Sequence, residues 1–237
     1  MLVAAAVCPC PPLLVPEVAA GAAPELDAAR AACTDALGVL AASRPDLLVV
    51  VGPMEGAGPE RFPEGTAGSF RGFGVDLGVR LGRDTGRART WELPYGLSVG
   101  ARLLERTGWA DAPIEGLGVG EPLEAERCVA EGRSAAARAQ RVAMLVMGDA
   151  SACRTLKAPG YLDERAAPFD AGIARALEAV DTAALSALDR RLARELKVSG
   201  AAPWQVLAGA AGDTALRGAL LYEDAPYGVG YLVATWS

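Results

Sequence analysis

The run Val142-Ala143-Met144-Leu145-Val146-Met147-Gly148 is apolar throughout and passes directly into Asp149-Ala150-Ser151-Ala152-Cys153-Arg154. A strand with one wet face alternates apolar and polar residues; a short run without alternation reads as a strand buried on both faces, as in a largely parallel sheet covered by helices. Moving outward, beta-rich apolar runs bounded by turn residues also occur at 2–7, 46–52, 72–77, 114–119 and 228–233. Helical stripes lie between them. Leu26, Cys33, Leu37 and Leu40 share one face, as do Phe169, Ile173, Leu177 and Val180, and then Leu185, Leu188, Leu192 and Leu196. Asp181 is placed to cap the last of these, and Pro203 to stand in the first turn of a helix through Trp204 and Leu207. Strand and helix alternate, so the expected class is α/β with three layers, a central mostly parallel sheet and helices on both faces.

Residues 52–86 are rich in Gly and Pro with little helical period, which predicts a long loop followed by an irregular strand or hairpin. Long loops of this kind are often binding loops. No repeat, low-complexity linker or charge block divides the 237 residues, so the expected organisation is a single domain over 1–237.

Composition excludes several functions. Hydrophobic residues make up 51% and charged residues 22%, an ordinary globular balance that rules out disorder. Of 23 basic residues all but Lys157 and Lys197 are arginine, and they are scattered among 29 acids. A net charge of -6 and a pI near 4.9 leave no concentrated positive face for nucleic acid. No apolar run approaches the roughly 20 residues of a bilayer span, so no membrane role is expected. Five cysteines at irregular spacing, with no basic export signal ahead of them, predict reduced thiols in a cytoplasmic protein. The chain has no His at all, which removes Ser-His-Asp and Cys-His triads and every His-based metal site.

Ligands of open α/β sheets sit beyond the carboxyl ends of the strands. Three segments therefore hold the candidates: Cys8-Pro9-Cys10-Pro11-Pro12, Gly52-Pro53-Met54-Glu55, and Gly148 to Arg154. Cys10 and Cys153 are candidate nucleophiles or ligands, against the plainer reading of buried thiols with no imidazole to activate them. Asp149 and Ser151 could bind a polar ligand or cap the next segment. Arg154 and Lys157 could hold an anion, or simply face water. Glu17 and Glu55 could supply carboxylates for acid-base work. Tyr222, Tyr227 and Tyr231 could line a pocket or pack a strand.

In five stretches the sequence resembles the catalytic chain of the class III extradiol ring-cleavage dioxygenases and, more distantly, Memo-like proteins. They are Pro9 through Glu17, Val49-Val50-Val51-Gly52-Pro53-Met54, Met147-Gly148-Asp149-Ala150-Ser151, Phe169-Asp170, and Tyr222 through Tyr231, in the family's order along nearly the whole chain. The resemblance implies a non-haem Fe(II) held by two His and a carboxylate, with a third His as acid-base. On this sequence the two His ligand positions fall on Cys10 and Met54, the acid-base His on Ala152, and the carboxylate on Glu223. Thiol, thioether and carboxylate form a softer donor set than Fe(II) takes, so no metal and no cofactor is expected. The expected function is that of a homologue without dioxygenase activity that binds a small molecule or a partner protein. Two alternatives stay open: an enzyme of altered chemistry using Cys and carboxylate residues in the same pocket, or a ring-cleaving oxidoreductase completed by another chain. The family's habits imply a homo-oligomer or a second, different subunit.

Overall fold

A computed structural model describes residues 1–86, 92–212 and 214–237. The chain opens with β1 (Leu2–Cys8), a 3-10 turn (Pro12–Leu14), α1 (Pro16–Ala19), a second 3-10 stretch (Ala20–Leu26), α2 (Asp27–Ala42) and β2 (Leu47–Met54). Three short strands follow, β3 (Pro59–Pro63), β4 (Ala67–Ser69) and β5 (Gly78–Arg80), then α3 (Tyr95–Thr107), β6 (Ile114–Gly120), α4 (Ala125–Ala136) and β7 (Val142–Met147). The last third holds α5 (Ala166–Ala179), α6 (Thr182–Ser186), α7 (Arg190–Glu195), α8 (Ala201–Ala211), β8 (Gly218–Asp224) and β9 (Tyr231–Trp236). Among the described residues, no helix is long and apolar enough to cross a membrane.

Among the described residues, seven strands form one sheet in the order β3-β6-β2-β7-β1-β9-β8, and β4 pairs with β5 in a separate hairpin. The four central strands β6, β2, β7 and β1 run parallel. Antiparallel strands close both edges, β3 on β6 and the β8-β9 pair on β1. Every residue of β7 is buried, because each face of the sheet carries its own core. Met144 and Val146 face one core with Val49, Val51 and the helices α4 to α8; Leu145 and Met147 face the other with Val50, α2 and α3. The three-layer α/β expectation is met.

Helix α8 is buried along all eleven residues, a consequence of its lying between the sheet and α4. The two helices touch through backbone: a methyl group on Gly132 would lie 1.9 Å from the Val206 carbonyl oxygen, and one on Gly209 would lie 2.1 Å from that of Val129. Any side chain larger than hydrogen would push the pair apart.

Three expectations need correction. Residues 72–77 are not a strand: the chain makes a 3-10 turn at Arg71–Phe73, Gly74 takes φ of 83°, and Phe70 N–H closes the loop on Leu77 O at 2.9 Å, joining β4 to β5. The stripe Leu185 to Leu196 is two helices rather than one. Asp189 accepts from Arg191 N and Leu192 N at 2.9 and 3.0 Å, so a new cap restarts the helix in mid-stripe. The final strand begins at Tyr231 rather than 228, because Gly228 has φ of 74° and belongs to the preceding turn. Asp181 does cap α6, accepting from Ala184 N at 2.9 Å, and Pro203 lies in the first turn of α8.

Candidate functional site

Because β1, β2, β6 and β7 are parallel, their carboxyl ends share one edge of the sheet. Cys10 follows β1, Met54 ends β2 and Asp149 follows β7, so the topology brings all three to that edge. The backbone locks two of them together: Gly148 N–H donates to Cys8 O at 3.0 Å, and Cys10 N–H donates to Asp149 Oδ1 at 2.8 Å. A third segment joins from the turn before α8. Gly200 N–H donates to Asp149 O at 3.0 Å, and Asp149 N–H donates to Ser199 Oγ at 2.8 Å. This approach requires glycine on both sides, since a methyl on Gly148 would stand 2.4 Å from the Gly200 Cα, and one on Gly200 would strike the Trp204 ring at 2.3 Å. Cys10 Sγ then lies 3.9 Å from Ser199 Oγ, with the Tyr95 hydroxyl from the start of α3 beside both.

Cys10 is fully buried and desolvation drives its thiol upward, aided by the Asp149 charge, so it stays protonated at neutral pH. Tyr95 is likewise pushed up, by burial first and then by Cys10 and Asp149. Asp149 is different. Burial raises its carboxyl to about 7, opposed only by the single N–H of Cys10. A group that gains and loses a proton near neutrality, next to a pocket, is the chemistry of an acid-base residue or a pH-sensitive ligand contact.

The other candidates from the same loop serve its architecture. Asp170 on α5 accepts Ser151 N–H at 2.8 Å, Ser151 Oγ–H at 2.8 Å and Arg154 Nη1 at 3.0 Å, which pins the segment after β7. Ala152 is buried, its N–H donating to Leu196 O at 2.9 Å. Cys153 turns its thiol to the carbonyls of Gly160 and Leu196, both at 3.5 Å. Glu223 is exposed on β8, at the outer edge of the sheet beyond β9. Glu17 pairs with Arg102. Tyr227 donates to Glu25 Oε2 at 2.8 Å, and Tyr231 is buried in β9.

Met54 lies over β6, its sulfur 2.6 Å from where a methyl on Gly118 would be. It separates two hollows. One, of about 500 Å³, has Met54, Phe62 and Pro94 in its walls and Phe73 and Tyr95 among its more exposed residues; its carboxylates among the described residues are Glu55, Glu60 and Glu92. The second, about 160 Å³, shares Met54, Glu55 and Tyr95 with the first and reaches inward to Val119, Val198, Ser199 and Ala202. Cys10 and Asp149 thus stand behind the Tyr95-Ser199 wall.

These residues do not fit Fe(II). Among the described residues no three of His, Cys, Asp and Glu gather in a way that could hold a metal ion. Cys10 is enclosed, Ala152 has no donor atom, and Glu223 lies on the far strand.

Tyr95, Ser199 and Asp170 were not read as site residues from sequence. Tyr95 opens α3 and Ser199 lies in the turn before α8, positions that carry no chemical signature of their own. Asp170 stood inside a stretch quoted for the resemblance, but its clamp on Ser151 and Arg154 needs the fold to bring α5 to the loop.

No family model matches the chain, and no curated protein matches it. Among solved structures, the chain is similar to an uncharacterized protein, JW3007, from Escherichia coli K12, with 14% identity, a TM-score of 0.58 and 99% of each chain covered. At that identity the likeness shows the fold alone.

Proposed function

We propose that this chain is a relative of the class III extradiol dioxygenases without dioxygenase activity, and that it binds a small organic molecule at the carboxyl edge of its parallel strands. The single observation that carries the reading is the 500 Å³ hollow beside Met54, at the edge where such folds take their ligands, walled by apolar and aromatic side chains with a few polar groups. The replacement of both His ligands and the acid-base His by Cys10, Met54 and Ala152 supports the loss of iron chemistry. The test is metal analysis of untagged protein, then anaerobic iron reconstitution and oxygen uptake over a panel of catechols. The expected outcome is no stoichiometric iron and no catechol-dependent uptake; the opposite pair would sink the reading.

One observation favours a second reading, an enzyme of altered chemistry. Asp149 is held near a pKa of 7, behind Ser199 in the wall of the smaller hollow. In that case Asp149 carries the proton, and Cys10, kept as a thiol, is a neighbour rather than a nucleophile.

A further inference from the structure

The larger hollow has an unusual pairing of wall chemistries. Phe62 is buried at its side, while Phe73 and Tyr95 are 44% and 36% exposed although both rings are large enough to favour burial. Apart from the Tyr95 phenol, its ionisable lining among the described residues is carboxylate, from Glu55 after β2, Glu60 on β3 and Glu92 before α3. Three separate segments thus converge, so the acids are not one run of sequence. Among the described residues no Lys or Arg lines the hollow, and none of these three glutamates has an ion-pair partner. Arg71, close enough to feel the Glu92 charge, is held by Asp76 at 2.7 Å.

Aromatic faces attract cations through their quadrupole, and carboxylates do so by charge; neither favours an anion. The volume suits a molecule of one ring and a short chain. We infer that the ligand of this hollow is an organic cation, an aryl- or alkyl-ammonium whose apolar part rests on Met54 and Phe62 and whose charge lies among Glu55, Glu60, Glu92 and the exposed rings of Phe73 and Tyr95. The inference rests on the small-molecule reading above and gives it a ligand class.

Three probes of one skeleton test it on the full chain by calorimetry or chemical-shift perturbation: 2-phenylethylammonium, neutral 2-phenylethanol and anionic 3-phenylpropionate. The ammonium should bind about tenfold or more tightly than either partner, and salt should weaken it. The double variant Glu60→Gln, Glu92→Gln should lose about tenfold of the ammonium affinity while leaving the alcohol unchanged. Should the alcohol or the carboxylate bind as well as the ammonium, the cation assignment falls while the ligand pocket stands. Binding of none of the three at millimolar concentration overturns both. Discrimination by the unaltered chain decides the matter even if the double variant folds poorly.

Discussion

Asp149 and Asp170 serve the same loop after β7, and they differ in how many donors reach them. Asp170 is 1% exposed and accepts three hydrogen bonds, one from an Arg154 guanidinium. Asp149 accepts one, from the Cys10 backbone. Burial is the largest influence on both and raises both carboxyls; around Asp170 the donations from Ser151 and Arg154 oppose it, whereas Asp149 is carried to about 7. A carboxylate surrounded by donors holds structure, and one short of donors keeps a mobile proton. The comparison assigns the loop's stability to Asp170 and a titration near neutrality to Asp149.

The comparison can be broken by mutation, beginning where the effect is largest. Asp170→Ala strips the acceptor from Ser151 and leaves Arg154 without its partner, and it should lower stability by about 3 kcal/mol in denaturant unfolding. A loss under about 1 kcal/mol would show that the clamp matters little. Gly148→Ala forces the segments carrying Asp149 and Ser199 apart and should lower stability by about 2 kcal/mol. The same variant should move the nuclear resonance of Asp149, while one with unchanged Asp149 titration would disconnect the glycine contact from the site. Ser199→Ala leaves the Asp149 N–H without its acceptor, a loss of about 1 kcal/mol in the same unfolding measurement.

Asp149→Asn has the smallest effect at acid pH, and its sign changes the comparison most. The folded carboxyl titrates above its unfolded value, so the folded chain binds the extra proton and gains stability below the unfolded carboxylate range. That gain disappears as pH rises through about 7. Wild-type stability should therefore fall between about pH 4 and 7 relative to Asp149→Asn, measured by melting temperature across that window. Parallel curves for the two proteins would remove Asp149 from the proposed chemistry.

Sequence reading succeeded where burial leaves a pattern of large side chains. The apolar runs of β1, β2 and β7, the apolar positions of β6 and the stripe Cys33, Leu37, Leu40 of α2 were legible because the strands fill the cores on both faces of the sheet and the helix fills one of them. Helix α4 escaped because its buried face is Cys128, Gly132, Ala135 and Ala136, small residues chosen for backbone contact with α8. Strand β8 escaped because it is an outer strand with little buried side chain to mark it. At the site, the strand-end rule found Cys10, Met54 and Asp149, whose positions follow from parallel topology. It could not find Tyr95, at the first position of α3, or Ser199, in the turn before α8, since neither follows a strand, nor show that the Cys153 thiol meets the carbonyls of Gly160 and Leu196.

The central position of α8 has a consequence for synthesis. The face of the sheet covered by α2 and α3 can close once β7 has emerged, because those helices precede it in the chain. The opposite face keeps Val49, Val51, Leu117, Met144 and Val146 without their α8 neighbours until residues 201–211 leave the ribosome, and β1 waits longer still for β9. A nascent chain stalled near residue 190 thus presents a half-covered sheet with one open apolar side, the kind of surface that chaperones bind. Ribosome-bound chains ending before residue 200 should be held by such factors, and those extended past β9 released.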